Sequence, residues 1–171
     1  MQLLLAIGRI TRLVFDRLFT FALVTAQLCL GAMVILTFIN VFMRYVLNSG
    51  IFWAEEVALV LAVWFIFISL PLGVRLDLHI SINLLRAPSA RLNRVLDVLK
   101  GVVVLAVGYV LLHHGVVLIQ FTSRSIMPAT ELPSSLLYLV VPLSAVLLLY
   151  EAITDILGID TTTAGERAND G

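Results

Sequence analysis

The chain has 171 residues, of which 61% are apolar and 13% charged, and its mean hydropathy of +1.08 lies far above that of an ordinary soluble domain. Its 11 basic residues balance its 11 acidic ones, so no net charge favours nucleic acid or an anionic surface as a partner. The single cysteine, Cys29, lies in an apolar run, which excludes disulfide frameworks, Cys-x-x-Cys redox chemistry and cysteine-based metal sites and leaves packing as its expected role.

The first predicted element is an amphipathic helix over residues 1–17. Arg9, Arg12, Asp16 and Arg17 alternate with apolar residues at roughly helical spacing, and the apolar stretch from Leu18 is too long for the core of a signal peptide. We expect this helix to lie in the membrane interface on the cytoplasmic side. A frayed tail that carries the same arginines is the alternative.

Four long runs free of Asp, Glu, Lys and Arg follow this segment. Crossing ~30 Å of hydrocarbon takes about 20 helical residues, and a lipid-embedded segment must satisfy its own backbone hydrogen bonds. Alternating strands of the kind that build a membrane barrel are absent from the sequence. The fold class predicted is therefore an all-α integral membrane protein with four transmembrane helices, at about residues 18–43, 53–74, 101–123 and 132–150.

The connections and the end of the chain complete the predicted organisation. The loop between the second and third spans alternates leucine and valine with basic residues, which predicts a short interfacial helix starting near Pro88. Pro142, inside the fourth span, lacks an amide hydrogen and predicts a kink. The membrane domain is expected to cover residues 18–155, and the polar segment 156–171 is expected to form a disordered cytoplasmic tail.

Basic residues in the short connections predict the orientation of the chain. One side of the membrane holds nine of them, which are Arg9, Arg12, Arg17, Arg75, Arg86, Arg91, Arg94, Lys100 and Arg167. The connections on the other side hold only Arg44 and Arg124. Both termini and the middle loop are therefore predicted to be cytoplasmic, with residues 44–56 and 124–131 facing outward.

The densest group of polar and aromatic residues runs from Asn40 to Glu56, around the first outer connection. Arg44 ends the first span, and Glu55 and Glu56 begin the second, so each charge complements its helix dipole, and opposite charges there could pair. Tyr45 and Trp53 are expected at headgroup depth. Consecutive helical positions point about 100° apart, so one of the two glutamates is a candidate for contact with another protein. The alternative is that all of these residues are ordinary helix-end and interface residues.

Little else in the sequence indicates chemistry. His113 and His114 lie past the middle of the third span. Two interpretations are open: a proton relay or haem ligation, and hydrogen bonding to a neighbouring helix or subunit. The spans hold no carboxylate at mid-membrane depth, and no nucleotide-binding loop, metal-ligand set or activated nucleophile is present in the sequence. We expect no enzymatic activity, no cofactor and no metal site. The sequence also leaves open a stand-alone small multidrug-type transporter and a haem- or quinone-binding membrane anchor of a redox enzyme.

The same residues resemble a known family, the small (DctQ-like) membrane subunit of tripartite ATP-independent periplasmic (TRAP) transporters. The resemblance covers about residues 15–155. It rests on Asn40-Val41, Arg44-Tyr45, Trp53, Glu55-Glu56, Trp64-Phe65, Arg75 and His79-Ile80, with Pro88, Pro128, Tyr138 and Pro142 also in place. The chain departs from the family pattern at Ser69-Leu70-Pro71, Asp77 and Asn83.

The resemblance implies a small permease subunit of a sodium-coupled uptake system for organic acids. Its partners would be a large permease subunit, a periplasmic substrate-binding protein that binds transiently, and membrane lipid, with no nucleic acid. The sodium and substrate sites would belong to the large subunit, which this chain would brace as part of the stationary scaffold. The residues expected at a subunit interface or docking surface are Asn40, Arg44, Tyr45, Trp53, Glu55, Glu56, Trp64, Arg75 and His79.

Overall fold

The computed structural model describes residues 2–75 and 90–156, and nearly all of them are helical. In chain order the elements are α1 (Gln2–Val46), α2 (Ala54–Arg75), α3 (Ala90–Thr122), α4 (Ser135–Tyr138) and α5 (Val140–Ile156). These ranges contain no strand beyond an isolated bridge between Ile126 and Pro133. Four segments are long and apolar enough to cross a membrane, which are Val14–Val46, Ala54–Arg75, Val98–Thr122 and Ser135–Thr154. The all-α fold with four membrane-crossing helices is confirmed.

Two helices extend well beyond their predicted spans. α1 continues without interruption from the first span back to Gln2, so residue 17 is not a helix boundary. α3 begins at Ala90 and runs unbroken into the third span, so the helix expected from near Pro88 continues into that span. The interfacial location of these two segments stays a prediction. The loop 76–89, with His79 and Pro88, and the tail 157–171 lie outside the described residues.

The helices form a row rather than a closed bundle. α2 packs against α1 on one side and α5 on the other, and α5 packs in turn against α3. Small side chains let the first pair approach, because Ala22, Ala26 and Cys29 are buried on a single face of α1. α1 and α3 therefore form the two edges of the row.

Glycines bring α3 and α5 together. Gly101, Gly108 and Gly115 recur every seven residues and lie on the same face of α3. A Cβ atom added at Gly108 would lie 2.9 Å from a Leu149 methyl, and one added at Gly115 would lie 3.3 Å from the Pro142 backbone nitrogen. Both distances are shorter than ordinary van der Waals contact, and at Gly115 the neighbouring atom is backbone, which cannot move aside as the Leu149 side chain can.

The fourth span is interrupted where the sequence predicts a kink. α4 ends at Tyr138 and α5 begins at Val140, with Leu139 between them in a turn. Pro142 has no amide hydrogen to donate to the carbonyl four residues earlier, which is that of Tyr138. The break at Leu139 therefore falls three residues before the proline, next to the carbonyl that the proline cannot bond.

Most of the helical surface remains uncovered within this chain. Only 11–17% of the residues in the first three spans are buried, against 39% in the fourth. The exposed side chains are largely apolar, including Phe21, Val34, Phe38 and Phe121. Lipid or another membrane protein must cover such a surface.

Candidate functional site

The charged pair at the connection between α1 and α2 forms as predicted. Arg44 in the last turn of α1 and Glu55 in the first turn of α2 approach to 3.3 Å between guanidinium nitrogen and carboxylate oxygen. Their side chains are 61% and 66% exposed, so water screens the pair and it adds little stability. Both charges remain accessible to a second molecule at this end of the row, here called the hairpin end (residues 47–53 and 123–134).

Asn40 shapes the same connection from within α1. Its side-chain oxygen accepts a hydrogen bond from the amide of Ile51 at 3.0 Å, across eleven residues of sequence. Asn48 adopts a left-handed conformation with φ of 50°, which asparagine tolerates better than most residues. The amide of Ser49 then donates to the carbonyl of Met43 at 3.1 Å. Asn40 therefore holds the turn that brings Arg44 and Glu55 together.

Glu56 holds the second connection at the hairpin end. Its carboxylate accepts hydrogen bonds from the amides of Ala129 and Thr130, at 2.9 and 2.8 Å, and from the Thr130 hydroxyl at 2.8 Å. Its neighbour Glu55 points to Arg44 instead, as expected for adjacent helical positions. Each of the two glutamates therefore has a partner within this chain.

Replacing Glu56 with alanine is expected to release the 124–134 connection without unfolding the helices. The amides of Ala129 and Thr130 lose a charged acceptor, so their hydrogen exchange should become at least about tenfold faster. Hydrogen–deuterium exchange with mass spectrometry measures this directly. Glu55→Ala is the matched control, because its carboxylate does not contact this connection. Equal acceleration in both variants would contradict the assignment.

Trp64 joins α2 to the start of the fourth span. Its indole N–H donates to the backbone carbonyl of Leu136 at 3.1 Å. That carbonyl belongs to α4, the short helix before the break at Leu139. An indole N–H between packed helices needs a hydrogen-bond acceptor, and this carbonyl supplies one. Trp64 therefore stabilises the interrupted fourth span.

The opposite end of the row holds an ion cluster around Arg75. Its guanidinium bonds the carboxylate of Asp16 on α1 and lies 3.7 Å from that of Glu151 on α5. It also lies 4.3 Å above the ring of Phe19, in cation–π geometry. Arg75 is only 10% exposed and Glu151 only 2%, so the attraction between them is weakly screened. The cluster links α1, α2 and α5.

The sequence analysis missed two members of this cluster, Asp16 and Glu151. Glu151 directly follows the charge-free run that defines the fourth predicted span, so it lies within the predicted membrane domain but outside that span. The available signal was an acid that directly follows the apolar run of α5, near the same end as the arginine that ends α2. Ring stacking of Phe15 on Tyr150, with centroids 3.6 Å apart, accompanies the cluster.

The nine residues predicted for an interface thus fall into two groups. Asn40, Glu56, Trp64 and Arg75 engage other parts of this chain. Arg44, Tyr45, Trp53 and Glu55 are exposed, and His79 lies outside the described residues. The exposed group adjoins an open cleft of about 420 Å³ lined by Asn40, Arg44, Asn48, Gly50, Ile51, Phe52 and Glu55.

Charged residues lie near the ends of the spans. Every Asp, Glu, Lys and Arg within the four membrane-crossing segments lies within three residues of an end. Across residues 2–75 and 90–156, no three His, Cys, Asp or Glu side chains converge as metal ligands would. The charged side chains that pair within the described residues link neighbouring helices to one another.

Comparison with known proteins identifies the family. Residues 33–161 match the family described as "Tripartite ATP-independent periplasmic transporters, DctQ component". This match covers most of the chain. The chain belongs to this family. As a DctQ component it is part of a transporter and not an enzyme, and with its four apolar helices it is a multi-pass membrane protein.

Individual relatives agree with the family match. The chain is 37% identical over 67 residues to the C4-dicarboxylate TRAP transporter small permease protein DctQ of Vibrio cholerae, a match that spans 39% of this chain and only 29% of that protein. Two Haemophilus influenzae proteins named as candidate TRAP transporter small permeases are 26% and 28% identical. Those matches cover 75% and 70% of this chain and 80% and 73% of the relatives. The chain is thus a TRAP transporter small permease subunit.

Proposed function

We propose that this DctQ component braces the large permease subunit of a sodium-coupled TRAP transporter for organic acids, as part of its stationary scaffold. The observation that carries the proposal is the position of the charges, which lie at the span ends and tie helices to one another. A protein that carries a solute anion and sodium needs charged or ion-coordinating groups at mid-membrane depth. The moving parts therefore belong to a companion subunit.

The open row of helices supports the bracing role. A flat array with two broad apolar faces can lie against a larger membrane protein on one face and contact lipid on the other. The ion cluster at Arg75 and the hydrogen bonds of Glu56 fix the helices at both ends. A scaffold component needs such rigidity, because it must remain fixed while a neighbouring domain moves.

The placement in the cell follows from the basic residues. We place the chain in the bacterial inner membrane, with both termini in the cytoplasm and the hairpin end in the periplasm, because nine of the eleven basic residues lie on the other side. In this orientation the exposed side chains of Arg44, Tyr45, Trp53 and Glu55 face the compartment of the substrate-binding protein. These side chains form the surface to which we propose that the substrate-binding protein binds transiently.

Reconstitution into vesicles tests the proposal. Vesicles that hold this chain alone are expected to accumulate no organic acid when an inward sodium gradient is applied. Vesicles with this chain, the large permease and the binding protein together are expected to accumulate it. Sodium-driven uptake by this chain alone would overturn the proposal, as would failure of the chain to co-purify with the permease.

The same assay separates docking from bracing. A Trp53→Ala, Glu55→Ala variant alters only exposed side chains at the hairpin end. We expect it to co-purify with the permease as before while uptake falls. The control is Glu131→Ala, another exposed acid at the hairpin end, away from the cleft. Unchanged uptake in the double variant would contradict a docking role for this surface.

A further inference from the structure

One face of α3 carries polar side chains that the rest of the described chain does not cover. Tyr109, His113, Val116 and Gln120 follow the i, i+4, i+7, i+11 spacing of a single helical face. All four are exposed, Tyr109 by 63% and Val116 by 43%. At about 100° per residue, this face is turned roughly 80–140° from Gly108, which contacts α5. It is therefore roughly perpendicular to the contact with α5 and lies on one side of the row.

Two of these side chains lie deep in the hydrocarbon. The midpoint of Val98–Thr122 falls at residue 110, so Tyr109 is at the midplane and His113 is about 5 Å from it along the axis. Gln120 is about 15 Å from the midpoint, at the hydrocarbon boundary. Neither the phenol nor the imidazole can extend to the headgroups from such depth.

Their contacts within the described residues are between rings and do not satisfy their polar atoms. The rings of Tyr109 and His113 stack with centroids 6.2 Å apart, and His113 meets the edge of His114 at 5.2 Å. No hydrogen bond is formed by the side chains of Tyr109, His113 or Gln120 in the part of the chain that the structure describes. Lipid tails offer no acceptor or donor, so the phenol of Tyr109 and the imidazole of His113 require protein beside them.

His114 shows the contrast on the same helix. Its Nδ1 lies 3.1 Å from the carbonyl of Val110, so one ring nitrogen has a partner in its own helix. It also lies on a different side of α3, about 100° from His113. The two adjacent histidines therefore have separate environments.

On α1, at the opposite edge of the row, fewer exposed polar side chains lack a hydrogen-bond partner within the described residues. The hydroxyls of Thr20, Thr25 and Thr37 on α1 donate to carbonyls of their own helix at 2.8–2.9 Å. Gln27 is the exposed amide left near the middle of that span. The α3 face concentrates three such polar groups along a single line.

We propose that the face formed by Tyr109, His113, Val116 and Gln120 is the surface that contacts a transmembrane helix of the large permease subunit. The inference rests on the proposed bracing function and names the surface that performs it. The complementary helix presents hydroxyl, amide or uncapped carbonyl groups at the depths of Tyr109 and His113. Hydrogen bonds between the two helices then satisfy groups that lipid leaves unsatisfied.

Photo-crosslinking tests the location of the contact. Val107 and Val116 are each 43% exposed and lie on opposite sides of α3, nine residues apart. A benzoylphenylalanine at Val116, in the complex with the permease, is expected to crosslink to the permease at least about five times more than one at Val107. A third probe replaces Gln27 on α1. Stronger crosslinking from Gln27 or Val107 than from Val116 would overturn the inference. Formation of the complex would still support the bracing function.

Adjacent histidine variants test the chemistry of the contact. His113→Leu is expected to raise the apparent Kd for the permease about three- to thirtyfold, whereas the matched control His114→Leu leaves it unchanged. His113→Asn keeps a hydrogen-bonding side chain and is expected to restore binding. Thermal unfolding of the isolated chain should be the same for both leucine variants. Equal weakening by the two, or no weakening by either, would overturn the inference, and failure of the unsubstituted chain to bind would overturn the proposed function instead.

Discussion

Replacing Arg75 with leucine is expected to lower the free energy of unfolding by about 3–5 kcal/mol. The substitution leaves the Glu151 carboxylate, which is only 2% exposed, without the guanidinium 3.7 Å away. A buried charge that loses its opposite charge keeps its desolvation penalty and loses the attraction that offset it. For a chain of this size the melting temperature should fall by about 6–20 °C. Fluorescence of the two tryptophans during thermal unfolding in detergent measures the change.

A double-mutant cycle separates the lost charge pair from lost packing. Arg75→Leu combined with Glu151→Leu removes both buried charges, and apolar replacements of such pairs are often close to neutral. The double variant is therefore expected to unfold at a higher temperature than Arg75→Leu alone. Asp16 is 48% exposed, so water solvates its carboxylate in both variants. Additive destabilisation by the two substitutions would show that Arg75 and Glu151 do not act as a coupled pair.

The partners of Arg75 in this cluster were not predicted from the sequence. Runs without Asp, Glu, Lys or Arg located the four membrane-crossing helices, because charge is costly in lipid. The same criterion ended the fourth predicted span at Tyr150 and so left Glu151 outside that span. A carboxylate can lie inside such a span when a guanidinium from another helix reaches it, and that meeting depends on tertiary packing. Arg75 was recognised as a site residue, but its partners were not.

The hairpin end was predicted more completely, because its interactions are local. Arg44 and Glu55 are separated by a short connection, and their charges suit the helix ends that they occupy. The partner of Glu56 lies 73 residues away, at Ala129, and no local pattern indicates it. The order in which the helices pack was likewise not predicted from the sequence. The seven-residue repeat of Gly101, Gly108 and Gly115 was the available signal for the pairing of α3 with α5, and the analysis of spans by hydropathy does not use it.

A substitution within this glycine repeat, at Gly115, is expected to have the second large effect on stability. Gly115→Leu is expected to cost about 3 kcal/mol, because a Cβ there already lies 3.1 Å from Pro142 Cδ and 3.3 Å from its backbone nitrogen. A proline ring beside a helix break cannot rotate away as a flexible side chain can, so α3 and α5 must separate. The melting temperature should fall by about 6–12 °C. Gly115→Ala should show a smaller fall in the same direction.

Gly31→Leu on α1 is the matched control, since no atom lies within 4 Å of a Cβ at that position. Both substitutions remove a helix-interior glycine, so both gain the same helix propensity of about 1 kcal/mol. The difference between their melting temperatures therefore isolates the packing of α3 on α5. Gly101→Ala provides a graded case, because its clash at 2.6 Å is with the movable Ile156 side chain and should be relieved cheaply. If Gly115→Leu and Gly31→Leu melted at the same temperature, close contact through glycine would not be what joins the two helices.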